Sequence, residues 1–355
     1  MSTNVPALGN TTYAYTYDQG NEIRTVTAPD GKVSSEKIDA SGKVIQTTDN
    51  AGNVLDFVYY GHGGLKEVKQ GSTVLVAIEY DEYNRKKKQT DLSAGITQYT
   101  YDGYGRLETE TNAKGQVTTM TYDQYDRPHT ITRPEGVTTN EYWPAGSIGK
   151  AFKLKKVTGH AGDIEEWDYN SKGLLTSHTI RIDVYYYTTN YFYNIADQLI
   201  KKTLPGGIIY EYEYDSHGYL KRIYNGSTNY VIIDEVNGRG QITQYTSGNG
   251  KVSIHDYFHG IPTRYRTSDL TFDYQMVWDY KSGNLKSRTD QYGNKDTITY
   301  DNLDRIHTWT RSNLIQTIIR DTLTYASNGN ILKKTDVGVY TYDPVRVHAV
   351  SEVSN

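Results

Sequence analysis

One string limits the fold of this chain more than any other feature. Residues 99–136, YTYDGYGRLETETNAKGQVTTMTYDQYDRPHTITRPEG, contain two copies of a single unit. The unit is a Tyr-Asp pair, two variable residues, Gly or Asp, Arg or Asn, then an apolar residue and alternating polar ones. Its anchor tyrosines are Tyr17, Tyr59, Tyr80, Tyr101 and Tyr122, and the last four are spaced 21 residues apart. The gap from Tyr17 to Tyr59 is 42 residues, two units, with Ile38 at the missing anchor. Later anchors are Tyr142, Tyr169, Tyr193, Tyr214, Tyr257, Tyr300, Tyr325 and Tyr342, and degenerate units are placed at Val236-Asn237 and Asp279-Tyr280. A fixed period sustained over about 16 units marks a repeat array rather than a single globule.

Each unit encodes a hairpin. Between Thr97 and Thr111, Tyr99 and Tyr101 alternate with polar residues, the period of two expected of a strand. Asp102-Gly103-Tyr104-Gly105 is the turn, because an Asp side chain accepts from backbone amides two residues on and Gly105 tolerates positive φ. Asp123, Asp215 with Gly218, Asp301 and Asp343 hold the same slots in their units. A second turn at residues 112–115 returns the chain. Two strands per unit give roughly 30 strands in one all-β antiparallel meander. At ~4.8 Å per strand the strip is about 150 Å long, and ~8-residue strands make it about 25 Å wide. A flat open sheet of that length is unfavourable, so a curved strip is expected, about one turn of a partial shell.

Composition fits a half-buried sheet. Of 355 residues, 35 are Tyr and only 5 Phe, and mean hydropathy is −0.70. Tyrosine supplies a large ring to bury and a polar tip that a neighbour can satisfy. Both alternating faces mix Tyr with Thr, Lys and Glu, so the pattern does not say which face is interior. The net charge of −4 argues against general nucleic-acid binding. There is no cysteine, which excludes disulfides and thiol chemistry. No apolar run reaches 18 residues, and MSTNVPALGN is not a signal peptide.

No catalytic, cofactor or metal site is expected. His255 and His259 would lie about 13 Å apart on a strand, too far to share a metal ion. Glu108 and Glu110 would share one strand face with Cα atoms ~6.6 Å apart, a spacing common on solvated strands. Arg85-Lys86-Lys87-Lys88 is the densest basic run and reads as a solubility guard. The glycine runs at 61–64 and 238–240 occupy turn slots, with no helix following. Exposed aromatics, chiefly Trp143, Trp167 and Tyr186, are candidate platforms for sugar rings, with cross-strand aromatic ladders as the structural reading. The period breaks between Tyr142 and Tyr169 and again between Tyr300 and Tyr325, so an irregular insertion is expected around 143–167.

The recurring Tyr-Asp units with glycine turns resemble the Rhs, or YD-repeat, family: bacterial polymorphic-toxin shells, cocoon components of insecticidal toxin complexes and the teneurin shell. Tyr340-Thr341-Tyr342-Asp343 followed by His348-Ala349-Val350 is similar to the segment closing the repeats in that family. The resemblance spans about residues 13–350. It implies a lead-in at 1–12, a repeat array at 13–350, and at 351–355 the point where the family's core would begin. It further implies a non-catalytic, secreted or cell-surface shell without cofactor. Its partner would be a toxin or effector polypeptide or the remaining shell segments. The competing expectation is an adhesion or carbohydrate-binding protein, and neither nucleic acid nor membrane insertion is expected.

Overall fold

A computed structural model describes residues 3–5, 9–344 and 346–354. Parts of the lead-in at 1–12 (residues 1, 2 and 6–8) and the last residue of the 351–355 end lie outside the described residues. Among the described residues the chain forms 33 strands and a single 3-10 turn, Pro205–Gly207. Consecutive strands pair antiparallel, as in Gly95–Tyr101 with Leu107–Thr111 and then Val117–Tyr122. The fold is therefore the all-β hairpin strip that the repeat predicts. It divides into two compact units: Met1–Thr97 with Asp256–Arg266 and Leu270–Asn355, and Gln98–His255 with Thr267–Asp269.

The hairpins are not regular. In most units the register shifts by one residue immediately before the anchor, between Thr100 and Tyr101, Thr121 and Tyr122, Glu213 and Tyr214, and Thr299 and Tyr300. Such a bulge sets two residues of one strand against one of its partner and increases the local twist. Glu108 is the extra residue in its hairpin: Leu107 pairs with Tyr101 and Thr109 with Thr100. Glu108 thus has no ladder partner in this hairpin, whereas Glu110 stands opposite Tyr99.

The bulge also identifies the true anchors. Ile38 occupies one, opposite Val44, and Val236 another, opposite Ile242. In the degenerate unit assigned to Asp279-Tyr280, Trp278 holds the slot, opposite Leu285, and Asp279 opens the loop. Tyr17 differs. Asp18 pairs with Asn21 across a two-residue turn, Gln19 and Gly20, with φ of 49° and 82°. Two consecutive left-handed residues already match strand twist, so no bulge is needed, and Tyr17 is 76% exposed. The hairpin after Tyr257 turns in the same way at His259 and Gly260.

The third residue after the loop aspartate is left-handed. Gly105 has φ 83°, and Asn84, Asp126 and Asp304 adopt φ near 60° in the same slot. Only Gly, Asn and Asp enter this region at low cost, which explains the repeat's choice between Gly and Asp. Gly105→Ala is expected to destabilise by about 1 kcal/mol and Gly105→Asn by less than half of that, read from urea midpoints.

The two faces differ in composition. Between Gly95 and Tyr142 one face carries Tyr99, Tyr101, Met120, Tyr122 and Ile131 with Thr118 and Thr138 among them, and the other carries most of the threonines with Val117 and Val137. Thr100, Thr109, Thr119 and Thr132 form one cross-strand row, and Thr121, Thr130, Thr139 and Thr158 another. Hydroxyls bond along these rows, Thr100 to Thr109 at 2.7 Å and Thr121 to Thr130 at 2.6 Å. No apolar side chain is buried among the described residues; the buried side chains are those of Asp273, Ser287, Asp296 and Asp321. A single layer has no second face to pack against, so the strip is held by ladder bonds, half-buried rings and its loop edge.

The extra residues of the expected insertion lie in the loop of residues 144–152, closed by Trp143 N–H to the Lys153 carbonyl at 2.9 Å. The strand pattern resumes at Leu154–Thr158 and Ile164–Tyr169. The second broken period, 300–325, is taken up by the strands Ile306–Ser312 and Thr317–Tyr325.

Candidate functional site

The edge formed by the Tyr-Asp loops concentrates the repeat's conserved chemistry. In the loop after Tyr101, Asp102 Oδ1 accepts from the backbone N–H of Tyr104 at 2.9 Å and of Arg106 at 3.0 Å. Its other oxygen accepts from Arg106 Nε at 2.8 Å. Asp81 with Arg85, Asp123 with Arg127 and Asp301 with Arg305 repeat the arrangement. Asp215 accepts from His217 and Tyr219 N–H at 2.9 Å each, and Asp343 from Arg346 N–H at 2.8 Å. Asparagine does the backbone part of the work at Asn170, Asn194 and Asn237, and at Asn112 in a turn of the opposite edge.

The anchor ring reaches back to the preceding unit. Tyr122 Oη donates to the Leu107 carbonyl at 2.7 Å, Tyr59 to Val44 at 2.8 Å, and Tyr80 to Leu65 at 3.1 Å. Tyr214 donates to Leu199, Tyr300 to Leu285 and Tyr342 to Ile331 at 2.8–3.1 Å. Trp278 does so through Nε1, to the Pro262 carbonyl at 2.6 Å. Partial burial raises the Tyr142, Tyr214, Tyr300 and Tyr325 hydroxyls above the usual phenol range, which keeps them neutral donors.

The loop arginine connects these parts. Arg106 lies 4.6 Å from the Tyr122 ring centre, Arg127 4.1 Å from Tyr142 and Arg305 4.3 Å from Tyr325. Arg106 also pairs with Asp126 in the next loop. Lys172 reaches Asp197 at 2.7 Å, and Gln198 donates to the Gly218 carbonyl at 3.1 Å. Sequence reasoning missed this role. The signal was present as Asp-x-x-x-Arg, with the guanidinium one unit before each covered tyrosine.

The loss of one anchor bond should be measurable. Tyr122→Phe leaves the ring and removes the donor to Leu107, so about 1 kcal/mol of stability is expected to go. Tyr104→Phe, whose exposed ring lies in a variable loop slot, should cost almost nothing.

The other candidate residues are largely engaged. Lys150 Nζ sits 3.7 Å from the Trp143 ring centre, and Trp143 Nε1 donates to the Trp167 carbonyl at 3.2 Å. Trp167 stacks on His178 with ring centres 5.1 Å apart. Tyr186 is exposed near a hairpin tip, between Tyr185 and Tyr187. In the basic run, Arg85 pairs with Asp81 and Lys88 with Glu79. His255 lies on a strand and His259 in a left-handed turn position.

Residues 39–148 match the family profile described as the teneurin YD-shell. No curated protein matches the sequence. Among solved structures, TcdB2-TccC3 without its hypervariable C-terminal region gives a TM-score of 0.76 at 15% identity, covering 92% of this chain and 20% of that one. TcdB2-TccC3 itself gives 0.74 at 17% identity, with 91% and 21% covered. The Photorhabdus luminescens Tc holotoxin pore gives 0.73 at 16% identity, with 95% and 20% covered. The chain spans about a fifth of the length of these solved chains. At such identities the likeness shows the fold alone.

Proposed function

We propose that this chain is a non-catalytic length of an Rhs-type shell, exported from the cell, whose complete form encloses a toxin or effector polypeptide. The observation that carries this reading is where the repeat's conserved side chains are spent. Tyr122 bonds to the preceding unit, Asp123 caps its own loop, Arg127 covers the ring of the next anchor, and the result is a single-layer sheet with no buried apolar side chain among the described residues. Such a strip is almost entirely surface, which suits a wall better than a catalytic globule.

A wall presents one face to its contents. Lys201 and Lys202 are neighbours on one strand and face opposite ways, Lys201 opposite Phe192 and Lys202 opposite Tyr191. In protein isolated from its source with its bound polypeptide, amine cross-linking should join that polypeptide to only one of the two lysines. Equal yields at both, or no bound polypeptide, would count against a shell.

A carbohydrate-binding surface is the second reading, favoured by the exposed Tyr185, Tyr186 and Tyr187. It requires saturable glycan binding that Tyr186→Ala abolishes.

A further inference from the structure

The loop at residues 301–305 makes contacts within the first unit that set it apart. Asp304 Oδ1 accepts from Lys32 Nζ at 2.6 Å, and the Asn302 carbonyl accepts from Asn50 Nδ2 at 2.9 Å. Lys32 and Asn50 belong to turns on the opposite edge of the strip, 272 and 252 positions earlier in the chain. Leu303, between the two contacts, is half-buried and lines the same cavity as Thr47, Leu55 and Leu75. One Tyr-Asp loop is thus seated on glycine turns of the opposite edge, with the residue two after its aspartate at the centre.

The same slot is solvated elsewhere. Tyr83 and Tyr104 hold it at 69% and 87% exposure, and Ile195, one position earlier in its own loop, is 97% exposed. Their loops are built like the seated one: Asp81, Asp102 and Asn194 each cap the backbone N–H groups two and four residues on. Large apolar side chains held out by rigid loops are expensive to leave in water. We infer that Tyr83, Tyr104 and Ile195 are docking knobs for the glycine-turn edge of another YD strip, and that a second copy of this chain is the occupant. The chain carries both complementary edges, and its exposed turns include residues 112–116 with Lys114. Contact between unlike edges does not close on itself, so the association should be head-to-tail and concentration-dependent. This goes beyond enclosure of cargo, because it concerns how strip meets strip.

Sedimentation velocity over a concentration series tests it. The wild-type chain should sediment faster as concentration rises. The triple variant Tyr83→Ser, Tyr104→Ser, Ile195→Ser should need about tenfold higher concentration for the same increase. The control variant Tyr13→Ser, Tyr15→Ser removes exposed rings from the middle of a strand, away from both edges, and should behave as wild type. All the replaced side chains are exposed, and circular dichroism confirms that the sheet is intact. A wild-type monomer at every concentration, an unaffected triple variant, or a control as weakened as the triple variant would each overturn the inference.

Discussion

Replacing Asp301 by alanine is expected to lower the unfolding free energy by about 2–3 kcal/mol, and replacing it by asparagine by about 1 kcal/mol or less. Asp301 Oδ1 accepts from Leu303 N–H at 2.8 Å and Arg305 N–H at 3.0 Å, and Oδ2 from Arg305 Nε at 2.7 Å. Alanine removes all three bonds and frees the guanidinium that lies over the Tyr325 ring. It also loosens the loop that presents Leu303 and Asp304 to the opposite edge. Bonds to a charged group are worth more than neutral ones, but this loop is partly solvated, so the full sum is not realised. Asparagine keeps the two backbone bonds, as Asn194 and Asn237 do in their own loops. Urea midpoints at unchanged slope give both numbers. Equal losses for the two substitutions would show that the ion pair, not the backbone cap, holds the loop.

Acid should dismantle the strip over a narrow pH range. The capping loop carboxylates sit below their ordinary pKa in unit after unit: Asp123 chiefly through Arg127, Asp279 through Lys286, and Asp215 through the backbone N–H of Tyr219. At Asp49 and Asp301 partial burial is the largest influence and pulls upward, but the combined donors outweigh it. A carboxylate whose folded pKa lies below its unfolded value contributes stability that is fully present above the unfolded value. That contribution is lost as pH falls through the folded pKa. Stability should therefore be flat from pH 8 to about pH 5 and fall steeply below about pH 4. The effect is large because one substitution removes one cap, whereas acid removes the charge from all of them together. A urea midpoint at pH 2.5 equal to that at pH 7 would contradict this account of the edge.

The hairpin count and the Asp and Gly turn slots were legible in the sequence because they depend on local chemistry: an aspartate bonding backbone two and four residues on, and a slot open to φ near +60°. The bulge before most anchors was not legible, since strict alternation carries no mark of an unpaired Glu108. Trp278 was missed because the repeat was read as tyrosine, whereas indole also offers this slot a ring with a donor at its tip. Tyr17 was counted as an ordinary anchor because its Tyr-Asp pair is intact, but Gln19 and Gly20 make a tighter turn. The threonine rows depend on cross-strand register, which links residues such as Thr139 and Thr158 across the enlarged loop. The arginine over the next tyrosine likewise pairs residues 15–20 positions apart, for instance Arg127 with Tyr142 and Arg305 with Tyr325.

The central claim, that this strip is part of a wall around a polypeptide, is tested most directly by protease protection. The protein would be isolated intact from its source, treated with trypsin, and its associated polypeptide followed by mass spectrometry before and after acid opening. A shell predicts a polypeptide that survives trypsin at neutral pH and is digested once the acid-opened complex is exposed to the enzyme. A polypeptide digested equally fast in both states, or none at all, would contradict it.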